Sequence, residues 1–131
     1  MPYRTIMIID DIPDHRDILS RLLRAVGFRV IEAAPDADAL GTARGEQPDL
    51  ILSALSLPGQ PSWETTRMLR QQPELAATPI LGTTVYNTLL PWPRVRSIGC
   101  ADYVDKPFDL DELLRRITLL LPGASPALMA A

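Results

Sequence analysis

Lysine is nearly missing from this chain of 131 residues: of 13 basic residues only Lys106 is a lysine, and the rest are arginine. Positive charge is scarce overall. The 16 acidic residues leave a formal net charge of -3 and a pI near 5.0. Domains that grip nucleic acid usually cluster their basic side chains. Here Arg21/Arg24, Arg67/Arg70, Arg94/Arg96 and Arg115/Arg116 are scattered, so no basic stripe forms and nucleic-acid binding by this domain is not expected. Cysteine is scarce too. Cys100 alone precludes an intrachain disulfide and fits a reducing compartment. Long apolar runs are lacking. The run before Asp10 and Asp11 is too short for a signal peptide or a membrane span. A glycine-rich phosphate loop is missing as well, because Asp11-Ile-Pro-Asp14 follows the first apolar run.

What is present suits one globular domain over residues 1–121, with residues 122–131 a small-residue flexible tail or linker stub. The chain is 47% hydrophobic and 22% charged, enough to bury a sizeable core. Its 13 prolines fall mostly between apolar runs and punctuate structure. Short apolar runs at 5–9, 28–33, 49–54, 79–84 and 100–105 predict five strands. Between them lie helical patterns. Ile18, Leu19, Leu22, Leu23 and Val26 recur on one face of a first helix that Gly27 stops. Pro35-Asp36 opens a second helix ending near Ala43 to Gly45. Ser62 is placed to cap a third that runs to about Gln71. Pro91 and Pro93 delay or distort the start of a fourth. Asp109 and Glu112 make a capping-box-like start to a fifth, ending near Leu121. Five βα repeats with continuous apolar strands imply a doubly wound parallel five-stranded sheet, the α/β flavodoxin-like (βα)5 architecture. Such sheets bind ligands beyond the carboxyl ends of their strands.

Those ends carry Asp10 and Asp11, then Ala54, then Thr83 and Thr84, then Asp105 and Lys106. Adjacent carboxylates repel, and folding gains nothing from that by itself. The pair suits a hard cation, and it equally suits a solvated loop or helix cap. Lys106 alone reads as a surface lysine, and Thr84 alone as a strand residue.

Four segments in order change that. They are Ile8-Ile9-Asp10-Asp11, Pro48-Asp-Leu-Ile-Leu-Ser-Ala-Leu-Ser-Leu-Pro-Gly59, Pro79-Ile-Leu-Gly-Thr-Thr84 and Gly99-Cys-Ala-Asp-Tyr-Val-Asp-Lys-Pro-Phe108. Over residues 4 to 121 the chain resembles the receiver domain of two-component response regulators. In that family a histidine kinase's phosphoryl group passes to an aspartate at the end of strand three. The resemblance implies that Asp10 and Asp11 are the acid pair that holds Mg²⁺, with the carbonyl of Ser56 assisting. It makes Thr84 the hydroxyl and Lys106 the ammonium that meet the phosphoryl oxygens, and Tyr103 the aromatic of the switch. The Lys106-Pro107 bond matches the family's cis peptide. The resemblance also implies a bacterial cytoplasmic signalling protein and not an enzyme. Its partner would be a protein such as a histidine kinase or another regulator. A homodimer through helix four, strand five and helix five is a further expectation.

One departure decides the reading. Ala54 stands where the family has its phosphoacceptor, and a methyl group neither takes a phosphoryl group nor ligates a metal. Any Mg²⁺ site is then weak, and Lys106 is expected to turn to the acid pair. Ser56 could replace the nucleophile only with a base beside it. Ser53 should point to the other side of the strand. Ile12, Ser62 and the segment Leu90-Pro-Trp-Pro93 are lesser departures. His15 reads as a helix-surface histidine, Cys100 as a buried small apolar residue, and Trp92 and Tyr86 as contact or packing aromatics. Three readings stand: a receiver-like interaction module without aspartyl phosphorylation, an ordinary receiver whose aspartate was replaced by design, and an enzyme of another class on the same architecture.

Overall fold

The computed structural model describes residues 4–85, 89–106 and 109–121. Strands β1 (Thr5–Ile9), β2 (Arg29–Ala33), β3 (Leu50–Ala54), β4 (Ile80–Thr84) and β5 (Asp102–Asp105) alternate with helices α1 (Pro13–Ala25), α2 (Ala37–Glu46), α3 (Pro61–Arg70), α4 (Trp92–Ser97) and α5 (Leu110–Leu120). A short 3-10 turn at Pro73–Leu75 leads into β4. All strand pairs are parallel, in the order β2-β1-β3-β4-β5. This is the doubly wound architecture expected from the sequence. Chain direction across the sheet reverses at β1, so the crevice between the ends of β1 and β3 is the place for a ligand.

Side chains alternate across the sheet with period two. Ile6, Ile8, Leu50, Leu52, Leu81 and Val104 face α1 and α5, against Leu19, Leu23, Leu113, Leu114 and Ile117. Met7, Ile9, Ile51 and Ile80 face the other layer, against Ala39 and Ala43 of α2, Trp63 and Leu69 of α3, and Val95 of α4. The alternation continues past the strand ends. Asp10 follows Ile6 and Ile8, Ala54 follows Leu50 and Leu52, and Lys106 follows Val104. One rule therefore brings an acid, a methyl group and an ammonium to the α1 side of the same edge.

Several boundaries differ from expectation for local reasons. In α1 the core takes Leu19 and Leu23, while Ile18 is 56% exposed and Leu22 38% exposed. The apolar face is therefore narrower than the sequence pattern suggested, and Ser20 fills part of it. Helix α2 runs through Gly45 and ends when Gln47 adopts a left-handed φ of 46°; the following Pro48 has no N–H to continue the ladder. Pro61, not Ser62, sets the start of α3, because its fixed φ suits the first helical position. Helix α4 is held to six residues, with Pro91 as its N-cap. Asp109 caps α5, its carboxylate accepting from the Glu112 N–H at 2.7 Å.

Gly99 is required where it stands. Its φ is +106°, and a Cβ there would lie 2.2 Å from Cγ of Arg70. The Arg70 guanidinium lies over the α3–β4 connection and donates to the carbonyls of Leu75, Ala76 and Thr78. Cys100 is buried, and burial pushes its thiol up to about 12, so it stays protonated at neutral pH. The expected tail at 122–131 and the Lys106-Pro107 peptide lie outside the described residues.

The division of α1 is directly testable. Leu23→Ala should lower unfolding free energy by about 3 kcal/mol in a urea titration, since it empties a fully buried site. Ile18→Ala should change it by under ~0.5 kcal/mol. Equal losses would show that Ile18 belongs to the core.

Candidate functional site

Asp10 ends β1 almost fully buried, at 1% exposure. Its Oδ1 accepts the N–H of Ile12 at 2.9 Å, which folds the chain back and starts α1. Its main-chain carbonyl accepts from Nη1 of Arg16 in the first turns of that helix. The other oxygen, Oδ2, receives no hydrogen bond among the described residues. Two nitrogens approach it instead, Nζ of Lys106 at 3.5 Å and Nδ1 of His15 at 3.8 Å. Lys106 Nζ also lies 3.5 Å from that imidazole nitrogen, where it can only be the donor.

The position of Lys106 follows from the sheet. Its N–H donates to the carbonyl of Thr84 at 2.7 Å, one residue past the β4–β5 ladder. Beside it, the Leu55 N–H donates to the carbonyl of Thr83 at 2.7 Å and extends β3 in the same way. A cavity of about 180 Å³ opens between these ends. It is lined by Asp10, Asp11, Ile12, His15, Ala54, Leu55, Ser56, Ser62, Thr83, Thr84, Val85 and Lys106.

The structure thus brings Asp10, Asp11, Ala54, Ser56, Thr84 and Lys106 to one place. The ion pair expected between Lys106 and the acid pair forms with Asp10. Ser53 faces away as expected and meets Thr66 Oγ1 under α3 at 2.7 Å. The Ser56 hydroxyl is engaged structurally: it accepts the N–H of Trp63 at 3.0 Å in the first turn of α3. That fills a donor which Ser62 was expected to serve, and no hydrogen bond joins the Ser56 hydroxyl to a carboxylate among the described residues.

Tyr103 is placed elsewhere. Its ring stacks on Trp92, with centroids 5.4 Å apart and planes within 1°. The two rings border a cavity of about 710 Å³ between α4, β5 and α5, which also has Asp102, Asp105, Asp109, Glu112 and Arg116 in its walls. Arg116 bridges there, donating to Asp102 at 2.8 Å and Glu112 at 2.9 Å. Hydrogen bonds from Arg115 and Arg116 hold the half-buried Glu112 carboxyl below its ordinary range. Tyr86 lies outside the described residues.

Two site residues escaped the sequence reading. His15 is an exposed residue of α1, as expected, but its place at the cavity edge, 3.8 Å from Asp10 and 3.5 Å from Lys106, was not foreseen. Arg16 was not singled out at all. The available signal was their distance from Asp10: one turn into α1, a helix that must pass over the end of β1.

The sheet order thus gathers acids after β1, a hydroxyl at the end of β4 and a lysine after β5 around one cavity. Comparison with known proteins makes the assignment definite. The chain belongs to the response regulator receiver domain family, whose sequence model matches residues 6–118. It is 31% identical over 118 residues to protein PilH of Pseudomonas aeruginosa, covering 90% of this chain and 98% of that one. It is 29% identical over 121 residues to the polar-differentiation response regulator DivK of Brucella ovis, with 92% and 98% covered. Among solved structures it is similar to the chemotaxis protein CheY4 of Vibrio cholerae, with a TM-score of 0.82, 25% identity and coverage of 92% and 100%. A response regulator protein from Burkholderia multivorans gives a TM-score of 0.72 at 30% identity, covering 95% and 100%. The domain is thus a receiver of two-component signalling. No helix among the described residues is long and apolar enough to cross a membrane.

If Lys106 compensates the buried carboxylate, its loss must show in stability. Lys106→Met should cost about 2 kcal/mol at neutral pH, because breaking a buried pair strands the remaining charge. Adding Asp10→Asn should recover most of that loss in a double-mutant cycle. A cost below ~0.5 kcal/mol, with no coupling, would show that the ammonium is merely solvated.

Proposed function

We propose that this receiver works without aspartyl phosphorylation and signals through protein contacts. The observation that carries the reading is Ala54 at the end of β3, on the floor of the cavity that Asp10 and Lys106 share. An acyl phosphate needs a carboxylate, and alanine has none. In this reading Asp10, Asp11, Thr84 and Lys106 are what remains of a phosphoryl pocket, with the Ser56 carbonyl a former metal neighbour. Tyr103 is the switch aromatic, held against Trp92.

The donor set suits Mg²⁺ poorly. That ion demands near-octahedral oxygen coordination and gives up water reluctantly. Here a methyl group replaces one carboxylate, and an ammonium sits 3.5 Å from the buried oxygen of another. Charge compensation at Asp10 therefore comes from Lys106. The partner class follows from the family: a histidine kinase or a second regulator, in the cytoplasm, with the α4–β5–α5 face available for pairing with a second copy. The stacked Trp92 and Tyr103 beside the larger cavity support that face as a contact surface.

A second reading has a specific motive, since the motifs flanking Ala54 are intact. It is an ordinary receiver in which the aspartate was replaced by design. Ala54→Asp separates the two. Natural divergence predicts partial recovery of Mg²⁺ binding; full phosphorylation and dephosphorylation would favour replacement.

The primary test is mass spectrometry of the intact protein after incubation with acetyl phosphate and Mg²⁺. The expected mass is unchanged. A stable gain of one phosphoryl group would overturn the proposal.

A further inference from the structure

Tyr103 stands between two places. Its partner in register on β4 is Gly82, which has no side chain, and its diagonal neighbour toward the pocket is Thr84. By the period-two rule Gly82, Thr84 and Tyr103 share the face of the sheet that carries Ile80 and looks toward α4. Diagonal neighbours on one face of a sheet lie within reach of an aromatic side chain. Thr84 lines the cavity that Asp10 and Lys106 share, so the Tyr103 ring has a short path to the pocket across a bare glycine. The ring does not take that path. It lies flat on Trp92, with centroids 5.4 Å apart and planes within 1°. It borders the larger cavity between α4, β5 and α5 and is absent from the walls of the smaller one. Trp92 is itself held. It opens α4 between Pro91, the N-cap at a φ of -63°, and Pro93 in the first turn. Proline rings fix φ on both sides of the indole. Val95, fully buried, anchors the same short helix to the sheet.

We propose that the Trp92–Tyr103 stack is a clasp that insulates the α4–β5–α5 face from the pocket, so that the face meets its partner in one conformation whatever happens at the strand ends. Two ring positions compete, one over Gly82 toward Thr84 and one flat on Trp92. A change elsewhere shifts such an equilibrium only by its differential interaction with the two states. Tyr103 is not in the pocket wall, so a change there acts on the ring only through Thr84. The stack opposes that shift, because leaving Trp92 gives up the aromatic contact and bares both half-buried rings. The inference rests on the reading that this receiver signals through protein contacts without a phosphoryl group. It adds that the contact face needs no input from the pocket.

The test is NMR of the full chain, with the Trp92 indole N–H and the Tyr103 ring as reporters and Lys106→Met as the change at the pocket. Lys106→Met should move the amides of Asp11, Leu55 and Val85 and leave both reporters where they were. Trp92→Leu keeps apolar bulk and removes the ring, and it should release Tyr103. A nuclear Overhauser contact between the Tyr103 ring and the Thr84 methyl should then appear, and adding Lys106→Met should now move the Tyr103 ring signals. Trp92→Phe should keep the insulation, which a role in filling space alone would not distinguish from Trp92→Leu. A ring–methyl contact already present in the unaltered chain would overturn the proposal. So would a Trp92 indole signal that moves with Lys106→Met, or a Tyr103 ring that responds alike in Trp92→Leu and Trp92→Phe. The first two of these need no change at Trp92 and decide the matter if Trp92→Leu fails to fold. A phosphoryl gain in the mass experiment would sink the underlying reading whatever the reporters show. Reporters that follow the pocket, with unchanged mass, would sink this inference alone.

Discussion

The structure depends on one buried carboxylate. Asp10 sits at the end of a central strand, where burying an unpaired charge is expensive. The surroundings of that side chain follow from this cost. One oxygen is used to turn the chain into α1, the carbonyl is held by Arg16, and Lys106 is brought from the far side of the sheet to within 3.5 Å. The single lysine among the basic residues stands at this position. A chain that uses arginine everywhere else keeps a compact ammonium here, at the end of β5.

Period-two alternation is what makes the pocket possible. The same rule that sends Ile8, Leu52 and Val104 into the α1–α5 core sends Asp10, Ala54 and Lys106 to one side of the strand ends. The core and the site are therefore one pattern read to its last residue. At the far edge of the sheet, α4 is shortened by its prolines, and Trp92 at its start lies flat on Tyr103. That stack fixes the tyrosine ring beside the larger cavity, and Arg116 ties β5 to α5 below it.

Much of this was legible in the sequence. Strand runs, the order of elements and the cluster at the strand ends all follow from local pattern, because a parallel sheet has few ways to place βα repeats. What was not legible depended on side-chain geometry between elements. Ile18 and Leu22 fit the helical period, yet the orientation of α1 leaves them outside the core. Ser56, and not Ser62, satisfies the first turn of α3, since the loop folds back on the helix it precedes. His15 and Arg16 look like ordinary helix residues until α1 is laid across the end of β1. Ala54 was visible at once, and with it the turn of Lys106 to the acid pair; that Asp10 and not Asp11 takes the ammonium, with His15 alongside, was visible only in the assembled fold.

The central claim is that Asp10 is compensated from within the chain, so that the pocket does not recruit a metal. A crystal structure grown with excess magnesium at neutral pH tests it most directly. The account predicts Lys106 Nζ beside Asp10 and no ion in the cavity. A magnesium ion about 2.1 Å from Asp10, Asp11 and the Ser56 carbonyl, with Lys106 swung away, would contradict it.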